Sequence, residues 1–296
     1  MKIDIKKIIF FRGKWFIINN NPYELAKRYI YKREFFWKKV VSSCNLDKVH
    51  EIEVYSIAFN NHTLIEYQIK TFLKYIQDDF LLIIVDNSNN TEEAKKIEGV
   101  AKKNKCWYIK LPENKLKGSR SHITALNYTR KNFISKRNCK IFWLIDHDIF
   151  PIHTYSIKEA IGEQDFYGEL VDKKFRKPAG KAWMLPPRFA FFKKEKIKKF
   201  NFALKKSIFP PYVLDTGGSM YTLLYKKYKK DTLRFAKSEY TFEKFGKFTD
   251  RFQYLENKKR FHITNAASAL CIESQKEMVE MKINYSFNKI DNLIKN

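Results

Sequence analysis

Between residues 53 and 150 one pattern recurs: a short apolar run stops at a carboxylate or carboxamide, and a stretch of helical periodicity follows. Residues 54–59 (VYSIAF) run into Asn60-Asn61, residues 80–85 (FLLIIV) into Asp86-Asn87-Ser88-Asn89, and residues 141–145 (IFWLI) into Asp146-His147-Asp148. Runs this short and this apolar suit strands covered on both faces. Between them, residues 63–76 carry Leu64, Ile65, Ile69, Phe72, Leu73 and Ile76 at helical spacing. Residues 91–103 read as a helix capped by Thr91, 107–111 as a third strand, and 121–133 as a helix with Ser119 or Ser121 near its cap. Strand–helix alternation of this kind predicts an α/β fold, a mostly parallel doubly wound sheet flanked by helices.

In an open parallel sheet ligands bind outside the carboxyl ends of the strands, where the connection order reverses. The three polar clusters therefore share one edge. Two carboxylates two residues apart, Asp146 and Asp148, at a strand-to-loop bend can face one hard divalent cation that keeps waters and bridges phosphate oxygens.

With 296 residues, 44% of them hydrophobic, the chain is neither disordered nor low in complexity. A chain near this length buries about 75% of the surface its unfolded form exposes. Cys44, Cys106, Cys139 and Cys271 form no CxxC pair, which removes zinc-ribbon and thioredoxin readings and suits a reducing compartment. No stretch approaches the ~18 apolar residues of a spanning helix, and residues 8–11 are too short an apolar run for a secretory signal. The net charge is +26, from 58 Lys and Arg against 32 Asp and Glu, and it must attract polyanions. Lys, Asn and Ile are abundant together, so coding bias accounts for part of that charge. Residues 1–50 hold twelve basic and four acidic side chains among many aromatics, a composition suited to an anionic membrane surface or to nucleic acid.

The strand ending in Asn60, the strand ending in Asp86-Asn-Ser, the helix bearing Asn127 and the run IFWLID-HD together resemble the nucleotide-sugar-binding half of GT-A glycosyltransferases, particularly the family 2-like enzymes. The resemblance covers residues 53–150 and extends weakly to about residue 270. It implies that Asp86 contacts the nucleobase or ribose, with Asn60 a neighbour in that pocket and Asn127 on the donor side. It also implies that Asp146 and Asp148 bind Mg2+ or Mn2+ together with the donor diphosphate, and that a late histidine, here His262, is a third metal ligand. A departure is the histidine inside DHD, where family members often carry an acid. Another is the lack of a clear ED pair.

Each of these residues also has an ordinary structural reading. Asp146 and Asp148 can form a turn before Pro151, and Asp86-Asn-Ser suits an Asx turn. Asn127 can face solvent, and His262 between Phe261 and Ile263 can be a core histidine. Ser119-Arg120-Ser121-His122 opens a helix whose N-terminus attracts phosphate, and Arg120 adds charge there. Asp215, in Asp-Thr-Gly-Gly-Ser, is the candidate general base, ahead of Glu169 and Asp172.

Beyond Pro151 the rhythm breaks. Short strands are expected around 166–170, 182–184 and 189–192, and helices near 218–228 and 249–257. The expected organisation is a basic aromatic extension (1–50), a nucleotide-sugar half (51–150), an acceptor half (151–272) and a basic tail (273–296). The function expected is metal-dependent, inverting transfer of a sugar from a UDP- or GDP-type donor to a glycan or lipid-linked acceptor. The expected setting is surface-polysaccharide or lipopolysaccharide assembly, in the cytoplasm at the inner membrane face. The alternatives are a nucleic-acid-binding protein, for which no motif speaks, and a sugar-nucleotidyltransferase. The latter wants a Gly-rich phosphate loop, which Ala58-Phe-Asn-Asn-His62 is not. No nucleic-acid partner is expected.

Overall fold

The computed structural model describes residues 6–11, 14–19, 50–113, 116, 118–171, 183–197, 207–209, 212–214, 216–264 and 275–295. Strands β1 (Lys6–Phe11) and β2 (Lys14–Asn19) form an antiparallel hairpin. Residues 20–49 lie outside the described residues.

From residue 52 the expected alternation is present: β3 (Ile52–Ala58), α1 (His62–Tyr75), β4 (Leu81–Asp86), α2 (Thr91–Lys103), β5 (Trp107–Lys110), α3 (Ser119–Asn132) and β6 (Ile141–Asp146). β3 and β4 are buried along their whole length, because the sheet is covered on both sides. α1 and α2 send Ile65, Ile69, Phe72, Ile97 and Ala101 against Val54, Ile84 and Trp143 on one face. α3 sends Ala125 and Leu126 against Tyr55, Ile83 and Leu144 on the other. The α2 cap is Asn90, whose side chain accepts from the Glu92 and Glu93 backbone N–H groups, where Thr91 was the expectation.

Four further strands follow: β7 (Ile149–Pro151), β8 (Phe166–Gly168), after the short helix α4 (Ile157–Ile161), and β9 (Phe189–Lys193), which continues into α5 (Lys194–Ile197). The fourth, β10 (Ser207–Phe209), pairs with β11 (Tyr212–Leu214). The six-stranded sheet has the order β5-β4-β3-β6-β9-β8, with β5, β4, β3 and β6 parallel and β9 antiparallel to both neighbours. The chain moves from β3 outward to β5 and returns to the opposite side of β3 as β6. The topological switch point therefore lies between the carboxyl ends of β3 and β6, where Ile57 pairs with Asp146.

After α6 (Met220–Leu223), β12 (Ser238–Phe245), β13 (Phe248–Leu255) and β14 (Arg260–His262) join β7 in a second sheet, order β12-β13-β14-β7. The helix expected over 249–257 is thus strand β13. Residues 252–255 are all buried, so the alternation that marks a strand is erased, while Phe248, Phe252 and Leu255 fall at helical spacing. The helix expected over 218–228 is limited to α6 and a 3-10 turn, and Met184 makes only an isolated bridge to Val171. The basic tail is α7 (Lys276–Lys295), whose Val279, Ile283, Phe287 and Ile290 pack on Phe150, Phe252 and Phe261. A mostly parallel sheet flanked by helices, followed by a mixed second half, is the architecture the GT-A resemblance implies.

Candidate active site

The carboxyl edge of the sheet is built in two parts. On the β3–β4 side, Asn60 has φ 47° and ties the two loops together. Its Oδ1 accepts from the backbone N–H groups of Asn89 (3.1 Å) and Asn90 (3.0 Å), its Nδ2 donates to Asn89 Oδ1 (2.6 Å), and its own N–H donates to Ser88 Oγ (2.8 Å). Asp86 is wholly buried. One of its oxygens accepts from the Ser88 N–H (2.8 Å) and the other from the Tyr108 hydroxyl (2.7 Å), with Lys110 Nζ 3.4 Å away. The Asx turn read from the sequence is present. Both side chains reach the expected edge, and both are occupied in building it.

The second part is the turn after β6. Asp146 N–H donates to the Arg188 carbonyl (3.1 Å). Gln68, buried on α1, donates from Nε2 to the carbonyls of Asp146 and Ile149 (2.9 Å each), so it brackets the DHD turn. His147 folds back into the sheet, with Nδ1 2.9 Å from the Ile57 carbonyl; that nitrogen must carry the proton, since a carbonyl only accepts. The backbone carbonyl of Asp148 accepts from the Ile263 N–H (3.0 Å). The side chains of Asp146 and Asp148 are then the polar groups of this turn that structure leaves available. Oδ1 of each is buried and faces an imidazole, with no backbone group bonded to it.

Three imidazoles surround these two acids. His122, on the first turn of α3, places Nε2 3.0 Å from Asp146 Oδ1. His262 places Nε2 3.5 Å from Asp148 Oδ1, and its Nδ1 is 2.6 Å from Gln253 Oε1. Burial pushes the Asp146 carboxyl up, but the charge and hydrogen bond of His122 outweigh it, with His147 and His262 adding to the effect, and hold it at about 2. Asp146 is therefore a carboxylate at any physiological pH.

Gln253 is fixed by its neighbours. Its Nε2 donates to Glu169 Oε1 (2.6 Å), so Oε1 must face His262 and take the Nδ1 proton. Glu169 is 2% exposed and also accepts from Arg188 Nε (2.9 Å) and Nη2 (2.7 Å). It is a structural counter-ion, which removes it as a base. Asn127 donates back along α3 to the Ile123 carbonyl (2.8 Å), and Arg120 lies exposed on the first turn. Asp215 and Asp172 lie outside the described residues.

Two carboxylates whose side chains no backbone group engages at the switch point suit a hard divalent cation that completes its shell with water and phosphate oxygens. Among the described residues no group of three or more His, Cys, Asp or Glu side chains is arranged to hold a metal ion. The expected set of Asp146, Asp148 and His262 is thus two acids with His262 directed at one of them. Sequence reasoning placed the acids but missed His122, His147, Gln68 and Gln253. A histidine opening the helix before the DHD strand was the one available signal.

No protein-family model matches the sequence, and no curated protein matches it. Among solved structures, the chain is similar to the mannosyltransferase PcManGT of Pyrobaculum calidifontis, solved with GDP-Man and Mn2+, at 15% identity and TM-score 0.34, over 60% of this chain and 54% of that one. It is similar to a part of S. aureus TarS solved with UDP at 14% identity and TM-score 0.40, over 59% and 54% of the two chains. For core-mannan synthase A of Aspergillus fumigatus in its Mn/GDP form the identity is 9% and the TM-score 0.35, over 68% and 75%. This chain spans about half the length of the first two. At these scores and identities the likeness assigns no residue a role.

Proposed function

We propose that this chain is a metal-dependent glycosyltransferase that moves a sugar from a UDP- or GDP-type donor to a glycan or lipid-linked acceptor. One observation carries the reading. At the topological switch point, Asp146 and Asp148 turn buried carboxylate oxygens to imidazoles and bind the fold through their backbone, while Asp86 and Asn60 are engaged in building the edge. A buried acceptor left short of partners costs about 1–3 kcal/mol, more when charged, and a site that retains two such carboxylates has a use for them.

Asp146 and Asp148 are the residues that hold Mg2+ or Mn2+ in this reading. When bound, the ion supplies Lewis-acid stabilisation of the departing nucleoside diphosphate, worth several kcal/mol. The chain's own residues do the rest. His122 keeps Asp146 ionised from the α3 side. Gln253, accepting from Nδ1 of His262, directs Nε2 of that ring at Asp148. Gln68 and His147 hold the turn rigid between α1 and β3. Asp215 remains the proposed base for the acceptor hydroxyl, with in-line attack and inversion. Asp86 and Asn60 act by shaping the nucleotide pocket. The +26 charge supports work at an anionic membrane face, in surface-polysaccharide or lipopolysaccharide assembly. Among the described residues no helix is long and apolar enough to cross a membrane.

The test is thermal shift with a panel of nucleoside diphosphates, each with and without Mn2+, and with DNA. Stabilisation by UDP or GDP that needs Mn2+ is the expected result. Stabilisation by DNA, with none by any nucleotide, overturns the proposal.

A further inference from the structure

The second sheet carries two different faces. Phe245, Phe252, Tyr254, Phe261 and Phe150 turn to α7. Strand alternation puts Tyr240, Phe242, Lys244, Thr249, Arg251, Gln253 and His262 on the opposite face. There the register sets His262 beside Gln253 and Gln253 beside Tyr240, with Phe242–Arg251 and Lys244–Thr249 as the next two cross-strand pairs. The inner end of this face is covered: Arg260 is fully buried against Tyr155, Phe189 and Trp143. The cover ends at His262 and Gln253. Among the described residues the face is bare from there outward, with Tyr240 47% and Phe242 73% exposed and Lys244, Thr249 and Arg251 exposed beside them.

The bare part begins where the acid site stops. Gln253, which holds His262 against Asp148, also donates from Nε2 to the Tyr240 hydroxyl (3.1 Å). The Arg251 guanidinium lies 4.7 Å from the centre of the Tyr240 ring, and the next pair outward adds Lys244. The acids of the hairpin point elsewhere. Glu243 and Asp250 are on the α7 side, bonded to Lys289 and Lys282, and Glu239 shares their parity. Two exposed rings about 7 Å apart along the strand, flanked by two cations, with Glu169 buried behind Gln253 and paired to Arg188, form a surface for a flat, partly apolar, negatively charged ligand.

We propose that this face is the acceptor platform, and that it takes a saccharide bearing a carboxylate or phosphate. The apolar side of a pyranose stacks on Tyr240 and Phe242, and Arg251 and Lys244 receive the anionic substituent. Tyr240 pairs with Gln253 and Gln253 with His262, so a sugar on Tyr240 has its hydroxyl at the rim that holds Asp148. The inference rests on the transferase reading for the word acceptor, while the saccharide site stands on the face itself.

The experiment is a glycan array holding neutral, uronate-bearing and phosphorylated saccharides, probed with the full chain and with Phe242→Ala and Arg251→Gln. Thermal shift with UDP or GDP plus Mn2+ and flotation with anionic vesicles free of glycan are run in parallel. Expected is binding of the charged saccharides over their neutral counterparts, lowered about tenfold or more in each variant. The nucleotide shift and the melting temperature should be kept. Equal binding by variants and parent, or no binding of charged saccharides by the parent, overturns the platform. Loss of vesicle binding alone in the variants assigns the face to a membrane and overturns it too. A missing nucleotide response in the parent, with variant-sensitive glycan binding retained, sinks the transferase reading and leaves the saccharide site standing.

Discussion

Four acids on the parallel strands and the turn after β6 fall into two pairs with opposite treatment. Glu53 and Asp86 are wholly buried and fully engaged. Glu53 accepts from Arg137 Nε (2.5 Å) and the Tyr55 hydroxyl (2.6 Å), and Asp86 from Tyr108 and the Ser88 backbone. Asp146 and Asp148 sit one strand away from β3 and turn an oxygen each to an imidazole, His122 and His262, with no backbone donor on it. The first pair behaves as a buried charge must, compensated on the spot. The second pair is held in place through its backbone, by Gln68, the Arg188 carbonyl and the Ile263 N–H, while its side chains stay available. Burial alone therefore does not mark a functional acid; unmet hydrogen-bonding capacity does.

The sharpest way to break this contrast is at Arg137. Arg137→Met strands the Glu53 carboxylate in the sheet and should cost about 3–5 kcal/mol in urea unfolding. Adding Glu53→Gln should recover part of that loss, and a double variant no better than the single one would mean that the pair is not compensating charge. Next is Asp146→Ala, expected to lower sugar transfer, or donor hydrolysis, by about a hundredfold to a thousandfold. Its urea midpoint should stay near the parent's, since Asp146 anchors the turn by its backbone. A large drop in midpoint would move Asp146 into the first pair. Asp86→Asn separates the two readings of that residue. As a structural acid it should cost about 1–3 kcal/mol of stability; unchanged stability with lost nucleotide binding would instead make it a donor contact.

Much of this arrangement was legible in the sequence. Strands covered on both faces read as unbroken apolar runs, so β3, β4 and β6 and the polar residues at their ends stood out. The same physics misled at β13, where burial of Phe252 to Leu255 on both faces hid the strand in a helix-like spacing. The occupation of Asn60 and Asp86 was half legible, because Asp-Asn-Ser announces an Asx turn but says nothing of Tyr108, whose hydroxyl arrives from β5. Gln253 acts through Glu169, far away in the chain, and local sequence carries no trace of such a pairing.

The smallest effect expected lies at the C-terminal helix. Lys289, Tyr254 and Tyr285 bond Glu243, and against the upward push of burial they hold its carboxyl below the ordinary 4.5. A carboxyl lowered in the folded state adds stability above its unfolded value, and that stability is lost as pH falls through the folded one. Glu243→Gln should thus flatten the fall of stability below about pH 4.5 and leave neutral behaviour nearly unchanged. An unaltered acid limb would show that Glu243 does not pin α7.

The most direct measurement of the central claim is Mn2+ binding followed by electron paramagnetic resonance, with and without UDP or GDP, on the parent chain, Asp146→Ala and Asp148→Asn. The account predicts a bound Mn2+ signal in the parent that strengthens with the diphosphate and disappears in both variants. Undiminished Mn2+ and nucleotide binding by the two variants would contradict it.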